Sequence, residues 1–546
     1  MKKIILPIII TLVFGFISFY FGCPPINVKS PDFWGFLFSL IICFLIAFII
    51  FGKFIKSEKI WVGIKNSSGN FTIDKSKINM KLVKTIAFAV GALIVLYILL
   101  ILTASPLLRA KSYQQMLSVK DGNFNKEISE IPISQIPIVD KDTAERLGLR
   151  EIGGIVDLVS QFEVAETYTQ INLKNVPTRV SPLGYADFIK WMSNNKNGIP
   201  YYVTIDMATQ ETDLVKLEKG IKYSPFEYFN RDLMRHLRFK YPAALMEDPS
   251  FEVDDNGNPY WIVSLYDYKI GFIGGKDTTG ILMVNAVTGE TSKYSVSDIP
   301  KWVDRVYPSD MVIEQINNWG KYKNGFWNSV IGQKGVLQCT DGYNYIALND
   351  DVWLYTGVTS VSSDQSNLGF VLINLRTKET KYYPINGAEE YSAMGSAEGK
   401  VQEKGYIATF PILINIAGEP TYFISLKDNE GLVKSYAFVS VKNYQTVGVG
   451  DTIAAAQSQY ASLLGNKQST AQSITVTGNI ESISTAVKGG NTIYYIKLTG
   501  NDDIFVASIE ISDFLPTLKQ GDYISAEYTK DAGGLCRVSS IKKGSI

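Results

Sequence analysis

Residues 257–294, GNPYWIVSLYDYKIGFIGGKDTTGILMVNAVTGETSKY, decide how the rest of the chain is read. β-Branched and aromatic residues alternate with polar ones on either side of turn formers. The pattern predicts a strand, a Gly-rich loop, and two further strands joined by a short turn from Asn285 to Glu290. The end of this stretch recurs. In one register, residues 204–212 are TIDMATQET, 283–291 are MVNAVTGET and 372–380 are LINLRTKET. Asp206, Asn285 and Asn374 match; so do Thr209, Thr288 and Thr377, then Glu211, Glu290 and Glu379, then Thr212, Thr291 and Thr380. Upstream, GIPYYVTI at Gly198, GNPYWIVSL at Gly257 and GEPTYFISL at Gly418 also match, though the first sits close to its turn and the others belong to longer units. Such a recurrence implies tandem copies of one supersecondary unit, each covering its neighbour's apolar face.

The N-terminal end differs in kind. Residues 4–22, 33–51 and 86–104 are nearly uncharged apolar runs, each long enough for a helix rising about 1.5 Å per residue to cross about 30 Å of hydrocarbon. Three spans are expected over 1–104. The connection at 53–84 holds Lys53, Lys56, Lys59, Lys65, Lys75, Lys77, Lys81 and Lys84 against Glu58 and Asp74, whereas the first connection has Lys29 alone. Lysine excess marks the cytoplasmic side. With Lys2 and Lys3 also inside, three crossings put the N-terminus in the cytoplasm of a bacterial cell and everything beyond Ser105 outside. The rival reading of the first run, a cleaved signal peptide, lacks a small-residue A-x-A site after it. A lipoprotein site at FGC, residues 21–23, has bulky Tyr20 and Phe21 where small or aliphatic residues belong.

The net charge is zero, yet residues 1–111 carry 13 Lys or Arg against 3 Asp or Glu, leaving 40 against 50 in the remainder. The two parts face different surroundings. With 46% hydrophobic residues, the 546-residue chain can bury several cores. Four cysteines are too few for a disulfide framework. Cys23 and Cys43 fall at or in the membrane, and Cys339 and Cys536 are expected as unpaired buried thiols rather than as a bridge.

The expected order along the chain is a stalk and proline-bearing spacer at 105–141, α+β units at 142–225, 226–300, 301–390 and, more degenerate, 391–464, then a small β-barrel at 474–546. Each later unit begins with a helix: FEYFNRDLMRHLRFK at 226–240, and DMVIEQINNW at 310–319 with Ser309 as its N-cap. A helix followed by antiparallel strands with a turn of the form N/D-x-x-T-x-E is similar to the PepSY family of small extracytoplasmic modules. Residues 260–265 and 280–294 carry the resemblance, with echoes at 370–383 and 422–441. The turn glycine of such modules stands as Gly289 but is replaced by Gln210 and Lys378. The resemblance implies a link to peptidase inhibition or envelope regulation. In the last segment, LPTLKQGDYISAEY at 515–528 resembles an OB-fold. Its surroundings, residues 473–546, hold seven basic against eight acidic residues, without the cationic excess that a phosphate-tracking groove requires. Nucleic acid is therefore not an expected partner.

His236 is the chain's single histidine, which removes His-based zinc sites and HExxH chemistry. Neither a GxSxG elbow nor a complete phosphate loop is present; Ile270 occupies the first glycine position of GFIGGK. Residues 252–258, EVDDNGN, imitate the start of a calcium loop, but Val263 stands where its bidentate glutamate belongs, so a hairpin turn is expected. No catalytic residue, metal or cofactor is assigned. The candidate contact residues are Arg231, Arg235, His236 and Arg238, whose guanidinium forks suit anionic partners, and Tyr322, Phe326 and Trp327 in YKNGFW. The expected function is an integral membrane-anchored binding, scaffold or regulatory protein of the bacterial envelope, engaging other envelope proteins or anionic envelope polymers, with oligomerisation left open. The alternative is a component of a cell-wall, proteolysis-linked, transport or DNA-transfer apparatus.

Overall fold

The computed structural model describes residues 2–54, 80–130, 136–348, 350–361, 366–464, 474–488, 491–512, 514–530 and 536–544. Most of the lysine-rich connection (55–79), part of the proline spacer (131–135) and the polar linker 465–473 lie outside the described residues. The described residues form two compact units: Met1–Lys434 with Val439–Gln445, and Ser435–Phe438 with Thr446–Ile546.

The first unit begins with helices Lys2–Gly22, Pro31–Phe54 and Met80–Leu102. Two of them, over Ile5–Gly22 and Pro31–Phe48, are long and apolar enough to cross a membrane. Phe88–Leu102 qualifies only together with Pro106–Gln114, from which it is bent by 43°. The bend has a local cause. The Ser105 hydroxyl accepts a hydrogen bond from the Leu107 N–H, and Pro106, which lacks an N–H, starts the next helix where no donor is needed.

An α+β unit then recurs. Its helices are Lys141–Gly153, Leu233–Lys240, Ser309–Lys321 and Glu390–Lys400. In the first copy Phe162–Val164 and Thr169–Leu173 share the edge beside Val176–Tyr185, followed by Ile199–Asp206 and Thr212–Ile221. The second is Ser250–Val253, Pro259–Ile270, Gly274–Asn285 and Thr291–Ser295. The third has Leu337–Cys339 and Asn344–Leu348 beside Asp351–Ser360, then Gly369–Asn374 and Thr380–Tyr383. All are antiparallel meanders. The fourth contributes Ile407–Ala408 and Ile412–Ile416 beside Glu419–Lys427, and the division between the two compact units falls in its next strand, Val433–Ser440.

Backbone hydrogen bonds make the copies equivalent. Near the start of each second strand, the carbonyls of Pro177, Pro259, Val352 and Pro420 accept from Met207, Ala286, Leu375 and Val441 at 2.9, 3.0, 3.0 and 3.2 Å. The carbonyls of those same four donors accept in turn from the segment that enters their own copy: Ile138, Tyr223, Tyr307 and Ala388, at 2.7, 2.9, 2.8 and 2.9 Å. Each copy closes on itself.

The matched turns have matched chemistry. Asp206 Oδ1 accepts from the N–H of Ala208 and Thr209, Asn285 Oδ1 from Val287 and Thr288, and Asn374 Oδ1 from Arg376 and Thr377, all between 2.8 and 3.0 Å. The hydroxyls of Thr209, Thr288 and Thr377 each accept from the residue two further on. The fifth turn position is left-handed in every case, with φ of 65° at Gln210, 74° at Gly289 and 65° at Lys378. Lys378 reaches Asp277 at 2.6 Å from that position, an ion pair a glycine there could not make. Gly289→Ala is expected to cost about 2 kcal/mol, because a Cβ there runs into the Tyr223 ring and the backbone is left-handed. Gln210→Gly is expected to stay within about 1 kcal/mol of wild type or to stabilise, since it relieves the same backbone strain. Denaturant melts of the two variants check the contrast.

Several expectations need correction. GIPYYVTI is not the counterpart of the other two segments: Gly198 opens a third strand, whereas Gly257 and Gly418 precede second strands. The true equivalents are Asn175 and Asp350, with φ of 65° and 63° beside 81° and 78° at the two glycines; Asn and Asp tolerate this conformation. Ser309 is not an N-cap. Pro308 holds that place, and the Ser309 hydroxyl bonds Tyr345 Oη at 2.8 Å. Helix 226–240 is shorter than expected, because Phe229 at φ 54° breaks the pattern and Asp232 caps Leu233–Lys240. Residues 105–130 and 136–141 are no free stalk. Val119–Asp121 pairs in parallel with Thr380–Tyr382, Ile128 accepts from Asn415 Nδ2 at 2.7 Å, and Ile136, Ile138 and Val139 are buried. Isoleucines in an extended run bury readily against sheet faces, which a solvated spacer would not allow.

Helix Ser309–Lys321 lies between sheets. Val312 and Ile316 share one core with Ile262 and Ile281 of the second copy and Val352, Leu354, Val371 and Ile373 of the third. Residues 252–258 form the expected turn, with Asp254 Oδ1 accepting from Asn256 and Asn258.

In the second unit, Gly448 and Gly450 leave room for helix Ile453–Leu463, whose Tyr460 stacks on Phe438 at 6.0 Å. Five strands then close a barrel. Ile474–Lys488 pairs with Asn491–Leu498 and with Tyr523–Lys530. Ile504–Ser508 joins Asn491–Leu498 on one side and Cys536–Lys543, in parallel, on the other, and Cys536–Lys543 returns to Tyr523–Lys530. Ile496, Phe505, Leu515 and Cys536 fill it. Cys23, Cys43 and Cys339 are free thiols, and burial pushes the Cys339 thiol up to about 12.

Candidate functional site at the joint with the apolar helices

The last turn of a helix leaves carbonyls without partners, and the aligned peptide dipoles make that end negative. The first apolar helix ends at Gly22, with Cys23 turning away at φ 47°. Helix Leu233–Lys240 brings two arginines to it. Arg235 Nε donates to the Tyr20 carbonyl at 2.7 Å, and its guanidinium lies 4.5 Å from the Tyr20 ring centroid. Arg238 Nε donates to the Cys23 carbonyl at 3.0 Å, while its Nη1 serves Ala244 at 2.6 Å and Pro242 and Tyr241 at 3.3 and 3.4 Å. Arg238 is only 4% exposed, and burial lowers its pKa from the usual guanidinium range.

The connection after that helix is held as well. Ile26 N–H donates to Pro242 at 2.7 Å, Asn27 Nδ2 to Ala243 at 2.9 Å, and Lys29 pairs with Asp267 at 2.6 Å. At the third helix the Gly-rich loop finds its purpose. A Cβ on Gly271 would lie 2.6 Å from Ala104 N, one on Gly274 would lie 2.7 Å from Ala104 Cβ, and Phe272 N–H donates to Thr103 Oγ1 at 3.1 Å. The glycines permit close backbone approach. The second copy thus touches the ends of the first and third apolar helices and the entry to the second.

The sequence-derived candidates sort accordingly. Arg235 and Arg238 spend their donors on main-chain carbonyls, Arg231 bonds the Asn195 carbonyl, and His236 Nε2 lies 2.9 Å from the Gly289 carbonyl with its ring 4.7 Å from Tyr223. The structure brings Tyr322 to the joint, in a small core with Ala110, Tyr113 and Ile270 and with Phe326 against it. Trp327 is 66% exposed. Sequence reasoning missed Lys29, Asn27 and Thr103; their partners lie far along the chain and leave no local pattern.

Two buried polar centres lie elsewhere in this unit. Glu252 accepts from the N–H groups of Asp304 and Arg305 at 2.9 and 3.0 Å, and Asp304 Oδ2 accepts from Asn172 N–H at 2.6 Å, which ties the first three copies. Burial pushes Glu252 up to about 7, and burial with the Glu252 charge raises Asp304. Between the third and fourth copies, Glu390 is fully buried beside Asn367, whose Nδ2 donates to Tyr422 Oη at 3.0 Å; Tyr422 donates to the Ala388 carbonyl at 2.9 Å. Burial raises Glu390 to about 7. Gly357 fits this centre because a Cβ would lie 2.5 Å from Glu390 Oε1 and 2.6 Å from Asn367 Nδ2. With both Glu252 oxygens held by main chain and Glu390 enclosed, neither carboxyl faces space for a substrate. Among the described residues no cluster of three or more His, Cys, Asp or Glu side chains could hold a metal ion. Two apolar grooves of about 410 and 450 Å³ lie between the apolar helices, lined by residues such as Phe14, Ile42, Leu40 and Val90.

No family model and no curated protein matches the chain. Among solved structures, it is similar to the GH32 beta-fructofuranosidase BmSUC1 of Bombyx mori at 10% identity, covering 74% of this chain and 70% of that one, with a TM-score of 0.18. An alpha-L-arabinofuranosidase from Lactobacillus brevis matches at 8% identity over 66% and 89%, TM-score 0.15. A levansucrase of B. megaterium matches at 10% over 80% and 94%, TM-score 0.17. Scores this low carry no argument about fold or activity.

Proposed function

We propose that this protein is anchored in a bacterial cell membrane by three spans and acts outside the cytoplasm by binding, as a scaffold or regulator of the envelope. The joint carries the reading: two arginines, an ion pair and a glycine loop fix one folded copy to the ends of the apolar helices. A partner bound by the folded part would therefore be held at a set height and angle above the membrane. The lysine-rich connection supports an inside N-terminus and an outside C-terminal part. The helix-first copies with their N/D-x-x-T-x-E turns support a PepSY-like reading. The closed barrel, with its third and fifth strands in parallel, supports an OB-like one. Balanced charge in that barrel favours a protein partner over nucleic acid. Crosslinking the tagged full-length protein in intact membranes and identifying what co-purifies tests this. Envelope proteins recovered above a tagged three-span control support the reading; recovery of nothing above that control sinks it.

A further inference from the structure

Two exposed apolar patches flank the ends of the first and third apolar helices. In the first, Phe188, Ile189, Met192 and Phe229 are 42, 68, 58 and 50% exposed. The patch has a fixed base. Asp187 caps helix Phe188–Asn194, Trp191 Nε1 donates to Glu227 at 2.7 Å, and the rings of Phe188, Trp191 and Tyr228 lie within 5.3 Å of one another. Its height follows from one side chain: Arg235 binds the Phe229 carbonyl and the Tyr20 carbonyl together, and Tyr20 Oη donates to Asn230 at 3.2 Å. Tyr20 is in the last turn of the candidate span Ile5–Gly22.

The second patch is Leu107, Leu108, Trp327, Val330 and Ile331, at 48, 69, 66, 54 and 77% exposed. Leu107 and Leu108 begin the helix that follows Leu102 after the 43° bend. Helix Gly325–Trp327 packs on that helix, with Phe326 and Tyr322 against Ala110 and Tyr113. Phe229 is therefore one arginine side chain away from the end of the first span, and Leu107 and Leu108 stand within about two helical turns of Leu102, near the level where aromatic side chains settle in a bilayer. Basic residues neighbour both in the sequence: Lys190 and Lys196 the first, Arg109, Lys111 and Lys323 the second. Basic flanks suit anionic headgroups.

We propose that both patches rest in the boundary between headgroups and acyl chains, so that the folded part lies on the membrane as well as being tethered to it. This rests on the membrane reading above. Apolar surface tied this closely to two span ends meets lipid once the spans are inserted, and burying it there removes it from water.

The test uses the full-length protein in phosphatidylcholine–phosphatidylglycerol vesicles. A fluorophore is attached through Ile189→Cys or Ile331→Cys, the wild-type labelling background is subtracted, and quenching by lipids with a nitroxide high on the acyl chain is measured. Phe14→Cys, on the first apolar helix, reports insertion. Asp255→Cys is the distal control, since strand Pro259–Ile270 places its turn about 35 Å from the Gly271 end. The inference expects several-fold stronger quenching at 189 and 331 than at 255. Quenching at 14 with none at 189 and 331 overturns it and leaves the anchoring intact; no quenching at 14 overturns the anchoring itself.

Discussion

Arg238→Ala is expected to destabilise the folded part by about 4 kcal/mol and to expose residues 23–30 to protease. The guanidinium serves four carbonyls, one at the end of the first apolar helix and three just beyond its own. The Tyr241 and Pro242 carbonyls keep the N–H groups of Ala244 and Ile26, so the Cys23 and Ala244 carbonyls are the ones left dry and unpaired, each at about 1–3 kcal/mol, and losses sharing one donor do not simply add. The helix end also loses a cation from its negative pole. Arg238→Lys should recover only part, because an ammonium offers three donors and no planar fork. Chemical denaturation in detergent measures the stability, and timed proteolysis measures the exposure. A melt unchanged from wild type would mean that the joint does not hold the two parts together.

Acidity should stabilise this protein across the neutral range, contrary to the usual effect of carboxylates. Glu390 and Glu252 are raised by burial to about 7, above the value near 4.5 expected in the unfolded chain. A carboxyl whose folded pKa is the higher one binds its proton more tightly when folded. Its contribution is fully present below pH 4.5 and is lost as pH rises through 7. The shift corresponds to about 3 kcal/mol for Glu390; Glu252, which shares its titration with the raised Asp304, acts in the same direction. Asp140 works in the opposite sense, since its bonds to Lys427 and Thr143 outweigh burial and hold it low. Its contribution vanishes only under stronger acid, outside the window of pH 5 to 8. Melting at pH 5.5 should therefore exceed melting at pH 8, and Glu390→Gln should narrow the gap by raising stability at pH 8. An equal gap in that variant would show that Glu390 does not titrate there.

What the sequence disclosed, and what it hid, follows from where each hydrogen bond ends. The turns at Asp206, Asn285 and Asn374 were legible because their partners lie within five residues, so the same side chains must recur. The fourth copy is equivalent at Pro420 and Val441 through backbone alone, and a serine, Ser440, takes the place of the turn acceptor, bonding Asn443 N–H at 3.2 Å. Side chains carry no record of that. The Gly-rich loop was visible, but its reason, Ala104 at the end of another helix, is remote in sequence. The arginine stripe was likewise visible as positive charge, while its partners, carbonyls 215 residues away, have no residue signature at all. Trp327 stood out as an exposed aromatic, and only the bend after Leu102 shows that it lies near a span end.

Three spans with an inside N-terminus put the C-terminal part outside the cytoplasm. Asp502→Cys, on an exposed turn of the barrel, can be probed in intact cells with a membrane-impermeant maleimide, using the wild-type protein to measure reaction at its own four cysteines. The account predicts labelling in intact cells at the level reached after permeabilisation. Labelling only after permeabilisation would place the barrel in the cytoplasm and contradict it.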